Sequence, residues 1–378
     1  MNNNVQKIQI SGIRRFFNKV ADYPDAISLT LGEPDFSVPN RIKEAMVNAI
    51  MNDKNSYTPN MGLIQLRTAI RSYLSKMEIS YREEEICITV GGSEGLFSIL
   101  NALINPGDKI VIPNPSYPAY ASIATLLGAN ILECELNDDF TINMESLKKV
   151  IEEEKPKLLV LSYPSNPTGA VLSKGQRDQL YKLIKDNNTI VVSDEIYCSI
   201  YFEAEYYSLA QHEDIKNKVI LVGGFSKMFS MTGLRVGYVC AEKEFMDQIV
   251  KVHQYCVSCA PAVSQWGAIE GLNNSMEHIK RVNESFINRR DYLYEGLKSL
   301  GMDVTMPKGA FYMFPSIKKF NMSSEKFCDA LLKEGKVAVV PGDAFGIRGE
   351  GFVRISYSYS EEDLKNGLNR LKKWIKAY

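Results

Sequence analysis

Between about residues 86 and 240, short runs rich in β-branched residues alternate with amphipathic stretches of helical length, and that alternation leaves few folds open. Strands that are apolar at successive positions are buried on both faces, and such strands are joined by helices that cross over the sheet. The runs are ICITV (86–90), KIVIP (109–113), KLLVLSY (157–163), TIVVS (189–193), KVILVGG (218–224) and RVGYVC (235–240). Helical periodicity falls between them at 94–104, 145–154 and 175–186, and the turn Asn105-Pro106-Gly107-Asp108 closes the first of these. The fold class is read as α/β, with ligands expected at the carboxyl ends of the strands.

After about residue 280 the pattern changes to long polar helices, 279–300 and 360–377, around short strands ending in FVRISY (352–357). At 378 residues the chain is long enough for two domains of ordinary size. The expected division is an N-terminal arm with part of a smaller domain (1–45), a large domain (46–279) and a C-terminal small domain (280–378). Lysine and arginine number 44 against 45 acids, so no net field favours a nucleic acid. The N-terminus has no signal-peptide pattern and no apolar run is long enough to span a bilayer, so a cytoplasmic protein is expected. Seven cysteines scattered through the chain argue against a disulfide framework.

Four local patterns carry chemistry, each with a plainer reading beside it. Phe225-Ser226-Lys227 follows a buried strand, where desolvation disfavours an ammonium unless it is neutralised or used covalently. A Schiff base with an aldehyde cofactor is one such use, and Arg235, eight residues on, could fork onto a phosphate of that cofactor. The plainer reading is a loop lysine in water. Asp194, in Ser193-Asp194-Glu195-Ile196-Tyr197, ends a strand and needs a partner such as a pyridinium nitrogen; alternatively it caps a helix. In Tyr163-Pro164-Ser165-Asn166-Pro167-Thr168-Gly169 the prolines limit the freedom of Asn166, whose amide could meet a ligand oxygen, although an ordinary tight turn has the same composition. Gly91-Gly92-Ser93-Glu94-Gly95, between strand and helix, suits an anion at a helix N-terminus.

The last pattern also satisfies the Gly-x-Ser-x-Gly elbow of a serine hydrolase, with Ser93 as nucleophile. That reading needs a histidine after a late strand, whereas His212, His253 and His278 lie in polar or helical stretches. Cys256-x-x-Cys259 has no second ligand pair and falls in an apolar stretch expected to be buried, so the cysteines read as structural.

Taken together, these motifs and the aromatic loop Pro115-Ser116-Tyr117-Pro118-Ala119-Tyr120 closely resemble the fold-type I, class I/II pyridoxal-phosphate aminotransferases over essentially the whole chain. The resemblance implies a large domain with a mostly parallel seven-stranded sheet between helices, plus a smaller α+β domain. It implies that Lys227 forms the Schiff base, Asp194 pairs with the pyridine nitrogen, Asn166 and Tyr197 meet the phenolic oxygen, and Tyr117 stacks on the ring. It places the phosphate against the Gly92-Ser93-Glu94 turn, Ser226 and Arg235, with Tyr57 of SYTPNMG reaching it from the partner subunit of a homodimer. Arg354 of FVRIS, with Gly32 and Asn166, would bind the substrate α-carboxylate. The implied substrates are an amino acid and a 2-oxo acid, with 2-oxoglutarate and glutamate as one pair, and no nucleic acid or membrane is involved. Many relatives carry a serine three residues before the lysine, where this chain has Gly224.

ISGIRRF (10–16), YPSNPTG (163–169), KVHQYCVSCA (251–260) and GAFYMFPSIKKF (309–320) look similar to the branch of the family that acts on N-acetylated diaminopimelate in lysine biosynthesis. Looser forms of the same strings occur in aspartate, aromatic and methionine aminotransferases. A carbon–sulfur lyase on the same cofactor would use the same lysine, aspartate and arginine, and a cofactor-binding regulator is a third reading.

Overall fold

The computed structural model describes residues 1–203 and 206–377. Its main sheet has seven strands: β1 (Ile86–Thr89), β2 (Lys109–Pro113), β3 (Asn130–Cys134), β4 (Leu158–Ser162), β5 (Ile190–Asp194), β6 (Val219–Gly224) and β7 (Gly237–Cys240). Their order is β1-β7-β6-β5-β4-β2-β3. The six runs seen in the sequence are all strands, and the seventh, β3, lies at the edge with much of its surface accessible. An edge strand faces solvent on one side, which dilutes its apolar signal. All six residues of β6 are buried, and each large apolar side chain so enclosed contributes about 1.5–3 kcal/mol.

One strand departs from the parallel crossover pattern. β7 runs antiparallel to both β6 and β1, with Gly237 opposite Gly224 on one side and Thr89 on the other. The start of β7 therefore lies at the same end of the sheet as the carboxyl ends of β1, β4, β5 and β6.

The helices follow from their buried stripes and their ends. Those used below are α1 (Gly12–Val20), α2 (Asn40–Met51), α3 (Gly91–Leu103), α4 (Lys243–Val257), α5 (Glu277–Ser299) and α6 (Glu361–Ala377). α5 buries Val282, Phe286, Leu293 and Leu297 at helical spacing. α6 opens on Glu361, Glu362 and Asp363 and carries Lys376 in its last turn, matching charge to the helix dipole. Ser173 and Gln176 form a capping box on Lys174–Asp186.

A second core forms around α5, α6 and a small sheet ordered β9-β10-β8, from β8 (Tyr312–Met313), β9 (Val340–Pro341) and β10 (Val353–Ser356). The arm joins it, since Ile27–Ser28 pairs in parallel with Val337–Ala338. α2 is continuous across residue 45, so the division expected there lies inside a helix. Tyr197 and Ile200, from the loop after β5, pack in this second core, so the cleft between the two cores is lined from both. Among the described residues no helix is long and apolar enough to cross a membrane.

Candidate active site

A cleft of about 550 Å³ opens at the carboxyl ends of β4, β5 and β6, within the usual size for a small-molecule site. Gly32, Gly92, Ser93, Tyr117, Asn166, Asp194, Tyr197, Ser226, Lys227, Arg235 and Arg354 all line it.

Asp194 is the last residue of β5 and is buried. The Tyr120 hydroxyl donates to its Oδ2 at 2.6 Å and the Ile196 N–H to its Oδ1 at 3.1 Å. Burial pushes its carboxyl up, the two hydrogen bonds opposing. A carboxylate has room for further donors, and no salt bridge to Asp194 forms among the described residues. Such a group is suited to a cationic partner brought by a ligand. The alternative reading of Asp194 as a helix cap is reduced to one loop hydrogen bond, since no helix starts at Glu195.

Lys227 lies in the single helical turn Phe225–Met228 after β6, and its Nζ donates to the Gly32 carbonyl oxygen. Burial lowers its ammonium to about 8; Glu33 opposes that, and the Arg354 and Arg235 charges add to it. The water-exposed loop lysine is thereby excluded.

Arg235 adopts φ 52° just before β7, and its Nη1 donates to the Thr232 carbonyl oxygen at 2.7 Å. Its guanidinium sits against Gly91, where a Cβ would come within 2.4 Å of Nη2 and where φ is +70°. Glycine is needed there on both counts. The antiparallel course of β7, absent from the crossover pattern read in the sequence, is what delivers Arg235 to this end of the sheet.

Arg354, in β10, is 1% exposed. Its Nη1 donates to Asn166 Oδ1 at 2.9 Å and its Nη2 to the Thr30 carbonyl oxygen, while Nε is buried without a partner. The guanidinium stacks 4.4 Å from the Tyr312 ring centroid, a contact suited to arginine. Because Asn166 turns its oxygen to Arg354, its amide nitrogen is left for a ligand. The Tyr197 hydroxyl meets that of Tyr312 at 2.7 Å, and burial raises both phenols. Tyr117 packs edge to face on Tyr120, 5.6 Å between centroids.

Two of the named residues lie outside the cleft of their own chain. Tyr57, expected to reach the phosphate across a homodimer, is 90% exposed and lines no part of it. The Glu94 side chain is turned away, accepting from the Val90 N–H at 3.0 Å and the Ser98 hydroxyl at 2.6 Å and pairing with His253. Only the backbone at Glu94 belongs to the turn, because the carboxylate caps the orphan N–H at the start of α3. The hydrolase reading fails on the same geometry: His253 bonds Glu94 and the Asn60 carbonyl, His212 stacks on Tyr181 and His278 faces Arg281, so none serves Ser93. Cys256 is exposed rather than buried, and no cluster of three metal-ligating side chains occurs among the described residues.

The sequence reading gave no role to Tyr120, Tyr312, Arg14, Glu33 or Thr232, all at the cleft or bonded to its residues. Tyr120 lies three residues after Tyr117, one helical turn away, and that spacing was the available signal.

The chain matches the model of the family "Aminotransferase class I and II" over residues 24–371. It belongs to the class I and II aminotransferases. A probable N-acetyl-LL-diaminopimelate aminotransferase of Bacillus subtilis is 41% identical, the match covering 99% of this chain and 95% of that protein. An aspartate aminotransferase of Pyrococcus abyssi is 36% identical over 100% of this chain and 98% of its own. The solved structure of aspartate aminotransferase from Thermus thermophilus with maleate superposes with a TM-score of 0.94 at 32% identity, covering 99% of each chain. As an aminotransferase of this family the chain uses pyridoxal 5'-phosphate to move an amino group between amino acids and 2-oxo acids.

The residues present fit that cofactor. Asp194 offers a buried carboxylate in want of a cation, Lys227 a low-pKa amine, and the turn at Gly91 a close-packed seat beside a guanidinium. At Gly224 a Cβ would lie 2.7 Å from Ile196 Cδ1, so Ile196 crowds the place where a side chain would begin. Ser226, buried at the cleft, is the hydroxyl that remains on this segment.

Proposed function

We propose that the aminotransferase takes glutamate and 2-oxoglutarate as one substrate pair and an N-acetylated diaminopimelate as the other, in lysine biosynthesis. The observation that carries the site assignment is the convergence of Lys227, Asp194, Asn166, Arg235 and Arg354 on one cleft. When bound, pyridoxal phosphate supplies an aldehyde that exchanges between amines and a ring that takes up the electron pair released at the substrate Cα.

Lys227 would carry the cofactor and hold and move the proton at the substrate Cα; an ammonium lowered to about 8 releases its proton close to neutral pH. Asp194, buried at the strand end, would hold a proton on the ring nitrogen. Asn166 and Tyr197 would hold the phenolic oxygen, Tyr117 would cover the ring, and Ser226, Arg235 and the backbone of Gly92-Ser93-Glu94 would hold the phosphate. Arg354, steadied by Asn166 and Thr30, forks onto the α-carboxylate and thereby sets the direction of the Cα–H bond. Gly32 leaves room beside it, since a Cβ there would overlap the Tyr312 hydroxyl.

Glutamate and the N-acetylated substrate share a second carboxylate. Arg14 of α1 lines the cleft mouth beside Ile13 and Phe17 and makes no hydrogen bond or ion pair among the described residues. The maleate of the Thermus structure is also a dicarboxylate. A homodimer with shared sites is proposed on the exposure of Tyr57 (90%) together with Met51 (76%) and Tyr255 (89%), an apolar set that a second copy would cover.

A panel of amino donors with 2-oxoglutarate tests this reading. Glutamate formation with N-acetyl-diaminopimelate, and a borohydride-fixed cofactor mass on the peptide bearing Lys227, are expected. Pyruvate and ammonia from cystathionine without amino transfer would replace the transferase by a lyase. A fully active monomer in sedimentation would remove the shared site.

A further inference from the structure

His253 of α4 is fully buried. Its Nδ1 lies 3.1 and 3.2 Å from the two Glu94 oxygens, and its Nε2 lies 2.9 Å from the Asn60 carbonyl oxygen. A neutral imidazole has one N–H to give, and a carbonyl oxygen only accepts. Glu94 receives the Val90 N–H and the Ser98 hydroxyl as well, so donors surround it and it is held as a carboxylate. With acceptors at both ring nitrogens, the imidazolium alone satisfies both sides.

The bridge joins the turn that the cleft reading gives to the phosphate to the loop whose Tyr57 the shared-site reading sends into the other site of a homodimer. Glu94 secures the first turn of α3, where Gly92 and Ser93 line the cleft. Asn60 belongs to the loop that carries Tyr57, and its side chain also bonds the Ser258 carbonyl oxygen at the end of α4. We propose, resting on that reading, that His253 is a positioning residue. Its charged imidazole clasps the anion-seating turn to the Tyr57 loop and makes cofactor retention fall when the ring loses its proton.

Burial works against the charge on His253, but the Glu94 hydrogen bond and charge and the Asn60 carbonyl outweigh it and raise its pKa above the ordinary 6.5. The same pair lowers Glu94 against its own burial. The other groups sensing the Glu94 charge are Cys87 of β1 and Cys256 of α4, whose thiols are pushed up by burial and by that charge and stay neutral. The Arg67 charge works against that rise at Cys87. Because the folded pKa is raised, the clasp is complete below the ordinary value and is lost as pH rises through the folded one.

The chain has three histidines, so imidazole 15N NMR of the holoenzyme, assigned with His212→Gln and His278→Gln, reads the charge directly. Both His253 nitrogens are expected at imidazolium positions at neutral pH. Pyridoxal phosphate titrated into apoenzyme should bind about tenfold more weakly to His253→Gln, and the part of the pH dependence that follows the imidazolium should vanish in that variant. A neutral single tautomer at neutral pH overturns the proposal. So does wild-type affinity that stays constant while the imidazolium deprotonates, which overturns the clasp alone. A wild-type chain that takes up no pyridoxal phosphate overturns the cleft reading together with it.

Discussion

On one wall of the cleft, Asn166, Asp194 and Lys227 each sit at or just past the carboxyl end of a parallel strand with a buried run behind it. On the other wall, Arg354, Tyr312 and Gly32 come from strands of two to four residues and the loop beside them, drawn from the two ends of the chain. The first wall is rigid because its residues are extensions of one hydrogen-bonded sheet. The second is held by side chains: Arg354 bonds across to Asn166 and Thr30, and Tyr312 bonds across to Tyr197. In the proposed function, the residues given to the cofactor ring stand on the first wall and those given to substrate selection on the second.

That contrast breaks most sharply at Lys227. Lys227→Ala should lower the steady-state transamination rate by at least about a thousandfold, since the group that moves the proton is gone. Normal turnover without added amine would move the chemistry off the first wall. Arg354→Lys should cut kcat/KM roughly a hundredfold, with a raised KM, because an ammonium cannot make the two-pronged carboxylate bond. Unchanged kinetics would remove it from the clamp.

Arg14→Gln should cost about tenfold in kcat/KM for glutamate and leave a monocarboxylic donor nearly untouched. Equal losses for both donors would show that α1 only shapes the cleft.

The smallest effect is expected one residue from the chemistry. Asp194 faces the cleft, while Glu195 points to the other face of the sheet, accepting from Ser193 at 2.8 Å, Ser208 at 2.5 Å and the Tyr206 hydroxyl. Burial raises the Glu195 carboxyl to about 7, against the three hydrogen bonds. The folded chain then holds a proton that the unfolded chain releases near 4.5, so stability falls as pH rises from there through 7. Glu195→Gln should remove that slope and leave the variant's Tm about 2–4 °C above wild type at pH 8, with kcat little changed. A parallel pH dependence of Tm in both proteins would show that Glu195 does not titrate in this range.

The first wall was legible because a strand's buried run is a local pattern, and the residue that follows it is placed by the strand's own direction. KLLVLSY, TIVVS and KVILVGG point to Asn166, Asp194 and Lys227 in this way. Arg354 entered only through resemblance, since nothing local in FVRIS distinguishes a substrate clamp from a strand arginine. Tyr312 and Arg14 were missed because their neighbours in the cleft lie far away along the chain. At Glu94 the sequence showed the turn but not the direction of the side chain, whose carboxylate accepts the Val90 N–H at the start of α3.

Read alone, the chain determined the six buried strands of the main sheet, the helical stretches between several of them, and which residues stand at their ends, because hydrophobic period and turn chemistry act over a few residues. Tertiary structure alone decided that β7 reverses and so brings Arg235 to the site, that Arg354 and Asn166 share a hydrogen bond, and that His253 faces two acceptors. Those outcomes depend on which distant surfaces pack together, and packing is settled by shape and satisfied polar groups across the whole molecule rather than by any local run of residues.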